Sequence, residues 1–171
     1  MSVTENARLE ALTTADFKVV AELGASIWRA HYASIVSLAQ IEYMLAGRYT
    51  SENLSNYINA TDRWFEILWL NNQAVGYCSY ALTANPAEMK LEQLYLLEAF
   101  RSKGLGELML RHVTTALRKQ HRSLLMLQVN KRNLSSIAFY TKAGFQLREE
   151  AVFDIGGGYF MDDYVMEKQF P

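Results

Sequence analysis

The chain has 171 residues, 50 % of them hydrophobic, and its 17 basic and 18 acidic residues leave a formal net charge of −1. That length suggests one domain, 1–171, with enough apolar content for a sizeable core. The charge balance excludes a protein built to coat nucleic acid or an anionic membrane, and one cysteine, Cys78, excludes an intramolecular disulfide.

In chain order, Asp16 is placed to cap a helix in which Phe17, Val20, Leu23, Gly24 and Ile27 recur at helical spacing to about Tyr32. A second helical stretch spans Leu38 to Gly47, and "TSENL" (Thr50–Leu54) reads as a cap and a short third helix. "RWFEILWL" (Arg63–Leu70) is apolar on both alternating faces, as in a strand covered on both sides. "NNQ" (Asn71–Gln73) turns the chain into a second strand, "AVGYCSYAL". A third strand follows over Glu88–Leu97. Plain alternation puts Met89, Leu91, Gln93 and Tyr95 on one of its faces, and Lys90, Glu92, Leu94 and Leu96 on the other.

After the loop "FRSKGLG", Leu105, Met109, Val113, Ala116 and Leu117 form the stripe of an amphipathic helix. A strand over Ser123–Asn130 leads to Asn133 as the cap of a short helix, with Leu134, Ile137, Ala138 and Thr141 toward the core and Gly144 at its stop. Two strands, Phe145–Asp154 and Tyr159–Lys168, close the chain around "GGG". The order predicts an α/β (α+β) fold, a mixed sheet with helices on both faces. No window is apolar enough to span a membrane. Three scattered histidines give no metal-ligand spacing. The N-terminus has no basic segment before an apolar run, so the chain reads as cytoplasmic.

Two segments carry chemistry. In "FRSKGLGELML", glycines between a strand and a helix let backbone N–H groups line one concavity, with Arg101 and Lys103 adding charge. Alone this is a phosphate socket or an ordinary tight turn. It is not a P-loop, having no Lys-Ser/Thr after its second glycine. It is not a dinucleotide fingerprint either, because Met109 stands at the third glycine. In "NKRNLSSIAFYTKAGF", Asn133, Ser136 and Tyr140 share a polar stripe at i, i+3, i+7.

Together the two segments resemble the GNAT family of acetyl-CoA-dependent N-acetyltransferases. "RSKGLG" fits that family's [QR]-x-x-G-x-[GA] loop, and the N…FY..GF run fits its second motif. The ending "DDYVMEK" is similar to bacterial members of the spermine/spermidine acetyltransferase type. The resemblance implies a mostly antiparallel sheet of six to seven strands that splays after the third long strand, and acetyl-CoA as cofactor. The backbone of Arg101, Ser102, Lys103, Gly104, Leu105 and Gly106, with Glu107, would cradle the pyrophosphate. Leu94, Tyr95 and Leu96 would run beside pantetheine. Asn133 and Ser136 would contact the cofactor, and Tyr140 would protonate the departing thiolate.

The acceptor amine must be neutral to attack, so a base is expected. Gln128 stands where some family members carry a Glu, and it cannot serve. Glu92 is the replacement, unless it only pairs with Lys90; Asp162, Asp163 and His31 are further candidates. Trp28, His31, Tyr32 and Asp162 are candidates for lining the acceptor site. A primary amine such as a polyamine is the expected acceptor, no nucleic acid or membrane is expected as a partner, and the long final hairpin offers a surface for a homodimer. A CoA-binding sensor without transfer, or a nucleotide-binding domain unrelated to CoA, are the competing readings.

Overall fold

The computed structural model describes residues 2–171. The chain opens with a strand that sequence patterning missed, β1 (Ala7–Ala11), too short to show a period and identified by pairing with β2 (Arg63–Leu70) from Ala7↔Leu70 to Ala11↔Glu66. Three helices separate the two: α1 (Phe17–His31), α2 (Leu38–Arg48) and α3 (Ser51–Ser55). Ser37 and Thr50 cap α2 and α3 through their hydroxyls, as their positions dictate. Asp16 does not cap α1. Its carboxylate turns back to accept from the Thr13 N–H at 2.9 Å and the Thr13 hydroxyl at 2.7 Å.

β2 returns as β3 (Gln73–Leu82) through Asn71 and Asn72, whose φ values of 51° and 72° are the left-handed conformations a tight hairpin demands. Then come β4 (Glu88–Leu96), α4 (Leu105–Lys119), β5 (Leu124–Asn130), α5 (Leu134–Lys142), β6 (Gln146–Gly156) and β7 (Tyr159–Gln169). They complete one seven-stranded sheet of order β1-β2-β3-β4-β5-β7-β6. Every neighbouring pair is antiparallel except β4 and β5. Two cores form, one on each face. Leu105, Met109, Val113 and Leu117 of α4 and Tyr140 of α5 pack on one, while Val20, Ile27 and Trp28 of α1 with Ile41 and Leu54 pack on the other. No described helix is long and apolar enough to cross a membrane.

Two irregularities in β4 shape everything that follows. First, β4 and β5 pair only from Glu88↔Leu124 to Leu91↔Leu127, so the sheet opens beyond Leu91. Second, the β3–β4 register slips: Ser79 pairs with Gln93 but Tyr80 pairs with Leu91, which leaves Glu92 as the extra residue of a bulge. Plain alternation therefore fails. Met89 and Leu91 share the α4-side core with Leu94 and Leu96, while Tyr95 belongs to the α1-side core and Gln93 bonds into it. Glu92 is out of phase with Leu94 and Leu96 and reaches Tyr57 on the α1 side.

The faces of α5 also differ from the periodic reading. Leu134 is 73 % exposed, and Ala138 and Thr141 are exposed as well; Ile137 alone of the four packs on the core, beside buried Tyr140. The polar stripe faces inward because the α5 N-terminus borders a cavity rather than a closed core.

Candidate active site

The glycine loop is built for anions by its backbone. Ser102 and Gly104 both take positive φ, 59° and 82°, and Gly104 starts α4 in the left-handed conformation. Alternating handedness turns successive N–H groups toward one side. The Arg101 N–H is spent on the Glu98 carbonyl at 3.1 Å. Among the described residues the N–H groups of Ser102, Lys103 and Gly104 donate to no backbone carbonyl outside a helix, and those of Leu105, Gly106 and Glu107 belong to the unpaired first turn of α4. The free amides thus run from Ser102 to Glu107, one residue later than the motif suggests.

These amides rim a cavity of about 510 Å³ between β4, the loop and α5. Leu94, Tyr95, Leu96, Arg101, Ser102, Gly104, Gly106, Glu107, Ser136 and Tyr140 all line it. Three expected residues do not. Leu105 is fully buried in the core, Lys103 is exposed, and Asn133 borders an adjoining hollow with its Oδ1 accepting from the Ser136 N–H at 3.3 Å. Three were missed: Ser135, Phe139 and Lys142. Their own i, i+4, i+7 spacing lies beside the polar stripe and is the signal that would have found them.

Tyr140 is 8 % exposed, and burial raises its pKa well above the ordinary phenol, with Tyr95 adding to the effect. The hydroxyl keeps its proton at neutral pH. No described group hydrogen-bonds it, so that proton is free for whatever enters the cavity.

His31 lines this same cavity. Its Nδ1 accepts from the Arg101 guanidinium at 3.2 Å. Burial, and then the Arg101 charge, lower its pKa, so the ring is neutral. Trp28 and Tyr32 depart from the expected lining role. The inner face of α1 presses both against the sheet, where Trp28 is 1 % exposed and the Tyr32 hydroxyl bonds that of Tyr95 at 2.8 Å.

A second hollow, a groove of about 680 Å³, opens on the α1 side between α2, α3, β2 and Ile155 of the final hairpin. Arg48, Tyr57 and Gln93 line it. Tyr57 donates to Glu92 Oε1 at 2.8 Å, so the bulge delivers this carboxylate beside the groove. Lys90 does not pair with Glu92; its Nζ reaches Gln128 Oε1 at 3.2 Å. Gln93 floors the groove, accepting from Tyr49 at 2.8 Å and donating to Ser79 at 2.9 Å. Groove and cavity share the strand β4: Gln93 lines the groove, and Leu94, Tyr95 and Leu96 line the cavity.

The two final-hairpin acids separate by strand alternation. Asp162 points to the face of Tyr164 and pairs with Lys131 at 2.9 Å, away from the groove, which corrects its expected role in substrate binding. Asp163 faces the opposite way, 6 % exposed, with an Oδ1 that has no partner. Burial, and then the Asp162 charge, raise its pKa from 3.8 to about 6 against the opposing pull of Lys90. Between those values the folded protein holds a proton that the unfolded chain has lost, so stability falls as pH rises from about 4 to about 6. Asp163→Asn removes that cost. It is expected to stabilise the protein by about 1–3 kcal/mol at pH 7.5 and hardly at all at pH 4. Thermal melts at both pH values test this, and a destabilised variant at pH 7.5 would show instead that the carboxylate holds a partner.

Comparison with known proteins fits this geometry. The model of the acetyltransferase (GNAT) family matches residues 28–145. A spermidine N(1)-acetyltransferase of Thermoplasma acidophilum is 28 % identical over 163 residues, 93 % of this chain and 94 % of that one. Among solved structures, a PaiA N-acetyltransferase from Thermoplasma acidophilum in complex with coenzyme A superposes with a TM-score of 0.82 at 23 % identity, covering 96 % of this chain and 99 % of that one. A GCN5-related N-acetyltransferase structure from Rhodopseudomonas palustris reaches 0.79 at 15 % identity, covering 96 % of each chain.

Proposed function

The chain belongs to the acetyltransferase (GNAT) family of acetyl-CoA-dependent N-acetyltransferases, and we propose that it moves the acetyl group directly onto the primary amine of a small molecule, with Glu92 as base and Tyr140 as acid. One observation carries this reading. The sheet parts just where the bulge turns Glu92 to the groove face, while Tyr140 waits in the cavity on the other face.

Acetyl-CoA supplies the thioester. The amides of Ser102 to Glu107 fit its pyrophosphate, with Arg101 and Lys142 as the flanking cations. Leu94 and Leu96 offer an apolar wall, and the β4 edge freed from β5 offers its backbone to the pantetheine amides. An amine in the groove gives a proton to Glu92, directly or through one water, and its nitrogen bonds the acetyl carbon. The carbon–sulfur bond breaks as Tyr140 gives its proton to the sulfur. Holding the two reactants on opposite sides of one opening supplies much of the acceleration.

The likeness to a relative named spermidine N(1)-acetyltransferase supports a polyamine as one acceptor. The test is acetyl-CoA-dependent release of free thiol across polyamines, amino acids, aryl amines and short peptides. Turnover on small amines above the rate of acetyl-CoA hydrolysis is expected. Tight acetyl-CoA binding without turnover on any amine would sink the transfer reading.

A further inference from the structure

Arg48 has no task in that transfer. It is the last residue of α2, lines the groove and is exposed to its water. Its guanidinium sits over Trp28, 5.4 Å from the ring centroid, and Tyr57 lines the groove with it. Among the described residues no carboxylate lies within ion-pairing distance. Nearby arginines are engaged: Arg63 with Asp62, Arg101 with His31, and Arg132 with the Ser34 and Ile35 carbonyls.

The planar donor fork of Arg48 matches a carboxylate or phosphate, and aromatic rings hold that fork in place. The position matters equally. Trp28 contacts both Arg48 and Tyr95, and Tyr95 lines the cofactor cavity. Tyr57, which bonds Glu92, lines the same groove as Arg48, so an anion on Arg48 shares the groove with the carboxylate proposed as base. One part of the wall is apolar or aromatic, from Tyr43, Met44, Leu54, Phe65 and Ile155, while Asn53, Asn56 and Gln93 add uncharged polar groups and Arg63 is held by Asp62.

We infer that the acceptor is a zwitterionic amine, a free amino acid with an apolar or aromatic body, whose amine is directed toward Glu92 while Arg48 holds its carboxylate. This rests on the groove being the acceptor site of the proposed transfer. A linear polyamine brings a second ammonium to Arg48 with nothing to neutralise it. The bonds made and broken are those already given, and Arg48 exchanges no proton.

Matched pairs that differ only in the carboxylate decide the matter: tyrosine with tyramine, phenylalanine with phenethylamine, lysine with cadaverine. Spermidine serves as the polycation, and phosphoethanolamine with ethanolamine as the phosphate arm. The wild-type chain is expected to favour the amino acid of each pair by about 10- to 100-fold in kcat/KM, the discrimination one charge-assisted hydrogen bond provides. Arg48→Met, which keeps an alkyl stem over Trp28, is expected to erase that ratio without changing the KM for acetyl-CoA, and Arg48→Lys to keep part of it. Equal rates within pairs, or preference for the decarboxylated amines or spermidine, would overturn the inference and leave the transfer standing. Preference for phosphoethanolamine alone would overturn the carboxylate assignment. No turnover on any compound would remove the transfer reading and this inference together, and the wild-type comparison holds even if a variant fails to fold.

Discussion

Tyr140→Phe is expected to bind acetyl-CoA as the wild-type does and to turn over about 10²–10³-fold more slowly, the usual share of a positioned proton donor. The change removes one hydroxyl and no packing. Tyr140 touches Phe139 and Phe145 ring to ring, with centroids 5.2 Å and 5.5 Å away, and those contacts survive in Phe. Its hydroxyl has no protein partner to lose, so folding and cofactor affinity have no reason to suffer. What disappears is the proton for the departing sulfur. A thiol with a pKa near about 8.5 leaves slowly when it must depart as an unprotected anion into an apolar cavity. Equilibrium binding of acetyl-CoA and single-turnover rates separate the two effects. Full turnover in the variant would remove Tyr140 from its role.

Glu92→Gln is the companion experiment, with an expected loss of about 10²–10³-fold in kcat/KM near neutral pH. The amide keeps the shape of the side chain and still accepts the Tyr57 hydrogen bond, made at 2.8 Å in the native protein. It cannot take a proton. A base variant has a signature that a merely structural role lacks. Its residual rate should climb steeply as pH approaches the pKa of the acceptor amine, where solvent has already deprotonated the nucleophile. A parallel pH profile in variant and wild-type would show that Glu92 positions the groove through Tyr57 rather than taking the proton.

Most of the element order was legible because helices and strands write their period into the sequence. The stripe Leu105, Met109, Val113, Leu117 records one face turned toward one core. The glycine loop was legible for a related reason: left-handed backbone at Gly104 favours a residue without Cβ, so the turn appears as letters. β1 left no such record, since five residues on the sheet edge bury too little to need a pattern.

The site divides along the same line. Tyr140, Ser136 and the loop backbone were placed by local spacing within single elements, and the structure lines one cavity with them. Trp28, Tyr32 and Asp162 were placed by neighbourhood in the chain, and their orientation depended on which face α1 and β7 turn inward. His31 moved to the cofactor side because Arg101, 70 residues away in sequence, meets its ring.

By itself, then, the sequence determined the order of the elements after β1, the glycine turn ahead of α4 and the existence of a polar stripe on α5, because each is set by neighbours three to seven residues apart. Only the tertiary structure decided which face Glu92 takes and that Arg48, among the described residues, lines the groove without a counter-charge. A bulge is a mismatch between two strands, and an unpaired charge is a property of everything that surrounds it. Neither is written in any one segment of the chain.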